Sequence, residues 1–81
     1  MNGYLYILKS LDNNRFYTGS TNNLSRRIQE HNSGKSKYTR LTRPLKLVHY
    51  EEFKNLNEAK QRELYFKTGK GREDLKKILD G

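Results

Sequence analysis

The pattern of hydrophobic and polar positions predicts a pair of strands at the start of the chain. Residues 3–8 form an apolar run of strand-favouring residues, and residues 15–19 form a second such segment. Asp12 and Asn13 lie between them and favour a tight two-residue turn, which places Leu8 opposite Tyr17. In this register Tyr6 and Tyr17 are diagonal neighbours on one face of a hairpin, about 7–8 Å apart.

Helical spacing follows the predicted hairpin. Leu24 and Ile28 lie four residues apart, Asn22 or Asn23 precedes them as a cap, and Gly34 marks the end of this first helix. Pro44 ends the segment that follows, and residues 45–53 are predicted to form a third strand.

Two further helices are predicted in the last third of the chain. The first has Asn57 as a plausible cap, and its apolar stripe includes one carboxylate: Leu56, Ala59, Glu63 and Phe66. Gly69 and Gly71 separate it from a final helix that buries Leu75, Ile78 and Leu79. The resulting element order, β-β-α-β-α-α, indicates an α+β fold with residues 1–81 as a single domain.

The charge balance adds a class of partner. The chain has 17 basic and 9 acidic residues and a net charge of +8, which favours a polyanion such as nucleic acid. A basic surface of the kind found on small ribosome-associated proteins is the alternative. The chain has no cysteine, which excludes disulfides and thiolate metal sites, and no apolar run approaches the roughly 20 residues of a membrane span. We therefore expect a cytoplasmic protein without a membrane partner.

Positive charge is concentrated between the first helix and the third strand. Residues 35–46 include five basic residues and no acidic one, with an aromatic residue among them. Such a segment can hold a phosphate backbone and stack a base, although a solvated loop has the same composition. The predicted nucleic-acid contacts are Lys35, Lys37, Tyr38 and Arg40.

Glu63 is the most unusual of the polar residues because it shares a stripe with residues expected in the core. A carboxylate in that position needs a partner, because burial of an unpaired charge is costly. A structural ion pair with Lys67, Lys60 or Arg62 is one interpretation, and a metal site is the other. One carboxylate with several waters suits Mg²⁺, which keeps much of its hydration.

Arg27 and His31 lie four residues apart and share one helical face. Arg26 is expected to pair with Glu30, which leaves Arg27 free to turn toward the sheet and bind phosphate oxygens. Spacing alone leaves the role of His31 open. Tyr6 and Tyr17 either pack in the sheet or place their hydroxyls in one polar pocket.

Together these motifs resemble the GIY-YIG nuclease superfamily, and most closely its small stand-alone bacterial members of the UPF0213 type. The resemblance is carried by the order and spacing of Tyr4-Leu5-Tyr6, Tyr17-Thr18-Gly19, Arg27, His31 and Glu63. It implies a three-stranded antiparallel sheet flanked by helices. It also implies a metal-dependent endonuclease that hydrolyses phosphodiester bonds in DNA, with a function in repair or recombination.

The resemblance also implies roles for particular residues. Glu63 would bind one divalent ion, Mg²⁺ or Mn²⁺, and Tyr6 or Tyr17 would orient or deprotonate the attacking water. Arg27 would neutralise the transition state, and His31 would complete the catalytic set. Many members of the superfamily have an asparagine after the metal-binding glutamate, but here no asparagine follows Asn57. A nucleic-acid-binding module of the same fold with weak or no cleavage is therefore the alternative function.

Overall fold

The computed structural model of the protein describes residues 2–34 and 44–80. In chain order its elements are β1 (Gly3–Ser10), β2 (Phe16–Thr21), α1 (Leu24–Asn32), β3 (Leu45–Phe53), α2 (Leu56–Phe66) and α3 (Gly69–Asp80). The three strands form one antiparallel sheet in the order β2-β1-β3. The predicted α+β class, element order and sheet are confirmed.

β1 is the central strand, and its two faces support two separate apolar clusters. Leu5 and Ile7 pack with Phe66 of α2 on one face, and partly buried side chains of α3 cover them. Tyr6 and Leu8 pack on the other face, where α1 covers them. A strand in the middle of a sheet that is covered on both sides has to be apolar at successive positions, as this run is. The α1 face is the one that carries the predicted tyrosines.

The β1–β2 hairpin has the predicted register but a longer turn. Leu8 is paired with Tyr17, and Tyr6 with Gly19. The two-residue turn is wrong, because the strands end at Ser10 and Phe16. Ser10 Oγ accepts hydrogen bonds from the backbone amides of residues 12 and 13, and Asn14 has a φ of 62°. Asparagine tolerates this left-handed conformation, so the polar residues stabilise a wider loop.

β3 has the predicted limits and an irregularity in its pairing. Ile7 is opposite His49 and Leu8 is opposite Leu47, so Val48 is the extra residue of a bulge. The bulge reverses which residues face α1: Leu47 faces it before the bulge, and Tyr50 faces it afterwards.

The helix ends correct two further expectations. Asn23 caps α1, as one of the two predicted candidates, but Asn55 rather than Asn57 caps α2. Gly71 does not separate α2 from α3, because it is buried inside α3. A Cβ atom on Gly71 would lie 1.8 Å from the carbonyl oxygen of Tyr65, so the glycine lets α3 pack closely against the end of α2.

A polar network joins β3 to α2 on the face away from α1. Arg62 Nε donates to Glu51 Oε1 at 2.9 Å, and the His49 ring lies 2.9 Å from the other carboxylate oxygen. The Arg62 guanidinium also stacks over the ring of Phe66, at 4.2 Å. Burial raises the pKa of Glu51, but the hydrogen bonds from Arg62 and His49 outweigh it and leave that pKa below its ordinary value.

Replacement of Arg62 by methionine is expected to lower the free energy of unfolding by about 1–2 kcal/mol at neutral pH. Because the pKa of Glu51 is lowered in the folded protein, its stabilisation exists above the pKa of the unfolded chain and is lost as pH falls through the folded value. The difference between Arg62→Met and the parent should therefore shrink toward acid pH. Urea unfolding across this range measures it, with Arg26→Met as a control, and a difference that does not change with pH contradicts the assignment.

Candidate active site

A cleft with a volume of about 740 Å³ lies at the free edge of β2. All five side chains predicted to be catalytic line it, although they come from β1, β2, α1 and α2. The lining residues are Tyr6, Arg15, Tyr17, Thr18, Gly19, Ser20, Arg27, His31, Glu63 and Lys67.

The absence of a side chain at Gly19 allows the ring of Tyr6 to extend into this cleft. Tyr6 belongs to the central strand and lies opposite Gly19 on the edge strand. A Cβ atom at position 19 would be 2.4 Å from the Tyr6 hydroxyl oxygen, well inside van der Waals contact. The tyrosine ring therefore lies over the backbone of β2, in the space that any other residue would fill with its side chain.

The Tyr6 hydroxyl is held between two residues of α1. The oxygen lies 3.0 Å from His31 Nε2, and Arg27 Nε donates to it at 3.3 Å. The residue Tyr6 is 3% exposed and His31 is 5% exposed, so these hydrogen bonds are largely shielded from water. The four-residue spacing of Arg27 and His31 on one helical face allows both to contact the same hydroxyl.

The direction of the two hydrogen bonds follows from their chemistry. A guanidinium only donates, so the Tyr6 oxygen accepts from Arg27 and its own proton can be donated to His31 Nε2. Burial, with a smaller contribution from the Arg27 charge, lowers the pKa of His31. The ring is therefore neutral over a wider pH range than a free imidazole, and its Nε2 can accept the proton.

The pairing of the two arginines differs from the expectation. Arg27 forms the ion pair with Glu30, at 3.5 Å, whereas Arg26 contacts Asn22. The predicted Arg26–Glu30 pair is wrong because Arg26 lies at the start of α1, where the side chain of Asn22 is available. The hydrogen bond with Tyr6, and to a smaller extent Glu30, raise the pKa of Arg27. Glu30 binds only one edge of the guanidinium weakly, so it leaves Arg27 able to contact a phosphate.

Glu63 enters the cleft from the other face of the sheet. Ser20 Oγ donates to its Oε1 at 2.7 Å, and Lys67 Nζ donates to its Oε2 at 2.8 Å. The Glu63 side chain is 20% exposed. The side chain of Tyr17 lies on the α1 face of β2, whereas that of Ser20 lies on the α2 face. The cleft therefore extends around the edge strand from one face of the sheet to the other. The ion pair with Lys67 considered as an alternative is present, in the same cleft as the other four predicted residues.

The donor set of the cleft suits a hydrated divalent ion. Within residues 2–34 and 44–80 there is no group of three or more metal-ligating side chains of the His, Cys, Asp or Glu type. Closed zinc sites need about four such ligands, but Mg²⁺ is commonly held by one or two carboxylates with water completing the shell. Glu63 provides such a carboxylate, and the ammonium group on its Oε2 shows that the position attracts a cation.

Apart from Thr18 and Gly19, which belong to the second tyrosine motif, three cleft residues were not predicted as members of the site. Ser20 lies next to the second tyrosine motif and Arg15 lies before it, whereas Lys67 was named only as an ion-pair partner. Helical spacing was the available signal for Lys67, and alternation along β2 was the signal for Ser20. The predicted nucleic-acid contacts Lys35, Lys37, Tyr38 and Arg40 lie outside the described residues.

Comparison with known proteins identifies the class to which this fold and cleft belong. The family model described as the GIY-YIG catalytic domain matches residues 2–77. The chain therefore belongs to the GIY-YIG family of nucleases, whose substrates are nucleic acids.

The particular relatives are proteins named UPF0213. The chain is 54% identical over 65 residues to one from Clostridium perfringens, covering 79% of this chain and 69% of the relative. It is 46% identical to one from Staphylococcus haemolyticus, covering 93% and 92% of the two chains. The solution structure of a UPF0213 protein from Bacillus halodurans matches with a TM-score of 0.57 and 40% identity, over 96% of this chain and 85% of that one.

The names of these relatives state no activity, so the family establishes the class and leaves the reaction to be tested. Separately, none of the helices in the described part of the chain has the length and hydrophobicity needed to cross a membrane.

Proposed function

We propose that this protein is a metal-dependent endonuclease that hydrolyses phosphodiester bonds in DNA. The observation that carries the proposal is the convergence of Tyr6, Tyr17, Arg27, His31 and Glu63 in one cleft. The combination is suited to phosphate chemistry: a cation site, a guanidinium, and a hydroxyl linked to a neutral imidazole.

In the proposed reaction, Tyr6 and His31 accept the proton that the attacking water loses. The Tyr6 hydroxyl receives a proton from water as it passes its own proton to His31 Nε2, 3.0 Å away. In this relay the Tyr6 oxygen does not have to become a free phenolate. Tyr17 also lines the cleft, and its hydroxyl, which has no hydrogen-bond partner among the described residues, orients the water.

Positive side chains of the cleft bind and neutralise the phosphate. Arg27 is fixed by Tyr6 and Glu30, and its outer nitrogen atoms can contact the phosphate oxygens as negative charge develops. Lys67 and Arg15 add positive charge at the rim. Glu63 would hold one Mg²⁺ or Mn²⁺ ion, and such an ion supplies Lewis-acid stabilisation of the phosphate and the departing oxygen.

DNA that contains branches or flaps is the proposed substrate class, with repair or recombination as the proposed process. The experiment is incubation of the purified protein with labelled single-stranded, duplex, flapped and branched DNA in the presence of Mg²⁺ or Mn²⁺. We expect cleavage of at least one substrate that stops when a chelator removes the metal. Cleavage that persists in chelator, or none on any substrate with either ion, contradicts the proposal.

Occupation of Glu63 by Lys67 favours a second candidate, a binding module of the same fold that does not cleave. The ammonium group already neutralises the carboxylate to which a metal would bind. In this case the protein binds every DNA in the panel and cleaves none. Its affinity falls with salt, with a logarithmic slope of about 0.9 for each phosphate contact on duplex, and Glu63→Ala leaves binding unchanged.

A further inference from the structure

A second recess lies beside the cleft, on the face of the β1–β2 hairpin that α3 covers. It has a volume of about 370 Å³ and lies between the turn end of the hairpin and α3. Basic and apolar residues form most of it, with one acidic residue: Lys9, Phe16, Arg72, Leu75, Lys76, Leu79 and Asp80. None of these residues belongs to the cleft. In the part of the chain that the structure describes, no ion pair neutralises Lys9, Arg72 or Lys76.

Phe16 gives this basic recess its chemical character. The residue is 46% exposed, and Lys9 Nζ lies 5.9 Å from the centroid of its ring. Leu75 and Leu79 line the same recess, and the exposed part of Phe16 is accessible to a ligand. An open aromatic ring surrounded by cations is the arrangement on which single-stranded nucleic acids bind, because the bases stack while the cations contact the phosphates.

The sequence of the hairpin places this recess next to the cleft. Phe16 lines the recess, whereas Thr18, two residues later on the same face of β2, lines the cleft together with Arg15 and Tyr17. A nucleic-acid strand that crosses the end of the hairpin therefore contacts both surfaces. In a duplex the faces of the bases are stacked on one another, whereas an unpaired strand exposes them to the ring.

We propose that the recess binds an unpaired strand of DNA that continues from the cleft. This inference rests on the proposed function and narrows its substrate class to DNA with a single-stranded portion, such as a flap. Phe16 stacks a base, and Lys9, Arg72 and Lys76 bind the adjoining phosphates. Asp80, at the end of α3, is the one negative charge of the recess.

The chain has no tryptophan, so Phe16→Trp introduces a single fluorescent reporter at the recess. We expect a single-stranded oligonucleotide to quench this fluorescence through stacking, and a blunt duplex of the same sequence to leave it nearly unchanged. The measurement is made in chelator, which prevents cleavage. Leu64→Trp is the control, because Leu64 is 65% exposed and lies outside both the recess and the cleft. Equal quenching of the two tryptophans, or equal quenching by strand and duplex, overturns the proposal.

Affinity measurements test the same surface without a reporter. Phe16→Ala is expected to weaken binding of the single strand about 10-fold and binding of the duplex less than about twofold. Lys76→Ala should reduce the salt slope for the single strand by about 0.7, the value for one lost phosphate contact. Lys60→Ala, which removes an exposed lysine of α2, is the charge-matched control. Unchanged affinity of Phe16→Ala for the single strand overturns the proposal.

These results are independent of whether the protein cleaves. Stacking at Phe16→Trp with no cleavage of any substrate supports the recess and contradicts the nuclease. Metal-dependent cleavage without stacking supports the nuclease and contradicts the recess.

Discussion

Replacement of Glu63 by glutamine is expected to reduce DNA cleavage by a factor on the order of 10³ while the fold is retained. The amide oxygen of glutamine can still accept the hydrogen bond from Ser20 Oγ, which is 2.7 Å from Oε1 in the parent. The negative charge is lost, and with it the attraction for Lys67 and for a divalent ion. The substitution therefore separates the charge of Glu63 from its shape.

Two measurements distinguish a metal ligand from a structural ion pair at this position. Cleavage rates of Glu63→Gln and the parent are compared first, and Mn²⁺ binding is then followed by electron paramagnetic resonance, which requires no activity. Glu58→Gln is the control, because this exposed glutamate lies on the same helix outside the cleft. A Glu63→Gln protein that cleaves like the parent, or binds Mn²⁺ equally well, removes the metal assignment.

An unfolding measurement on the same variants tests the remaining alternative, in which Glu63 has only a structural role. Loss of the Glu63–Lys67 ion pair, in which the lysine is 55% exposed, should cost well under about 1 kcal/mol. A small change in stability with a large change in cleavage identifies Glu63 as a functional group. A large loss of stability would instead show that the Ser20–Glu63–Lys67 bonds mainly hold α2 against β2.

Local patterns in the sequence predicted how the candidate site residues of β1, β2 and α1 are placed, whereas the family resemblance supplied their proposed roles. Alternation together with the hairpin register places Tyr6 and Tyr17 on one face of the sheet, and helical spacing places Arg27 and His31 on one face of α1. The predicted register is correct although the predicted turn is wrong: Leu8 pairs with Tyr17, but the loop between the strands is wider. Leaving residues 11–15 unpaired widens the turn but does not shift the strands, because packing on both faces of the central strand fixes the register.

The features that were missed depend on contacts between distant parts of the chain. Ser20 and Glu63 are 43 positions apart, so no local pattern joins them. Asn55 caps α2 in place of Asn57, and a Cβ atom on Gly3 would lie 2.3 Å from the Asn55 carbonyl oxygen. The close packing of this carbonyl against β1 fixes where the helix begins. The bulge at Val48 similarly reflects how β3 pairs with β1 rather than any signal within its own residues.

Removal of the Tyr6 hydroxyl by Tyr6→Phe is expected to lower the cleavage rate by about 10²–10³-fold. The ring is 3% exposed and phenylalanine fills almost the same volume, so the apolar cluster around Leu8 stays packed. The variant loses the group that links Arg27 to His31. We expect a stability loss of about 1–3 kcal/mol, because a shielded hydrogen-bond partner is removed. Tyr50→Phe, at a tyrosine that is 54% exposed and outside the cleft, is the control for loss of a hydroxyl.

The pH dependence of cleavage tests the proton relay itself. Because burial lowers the pKa of His31, the parent should stay active to a lower pH than a free imidazole would allow. Below that pKa the ring is protonated, cannot accept the proton of Tyr6, and cleavage falls. Tyr6→Phe has no proton to pass to His31, so its residual rate should lack this acid limb. The relay through Tyr6 and His31 is excluded if both proteins lose activity at the same acid pH, or if Tyr6→Phe cleaves like the parent.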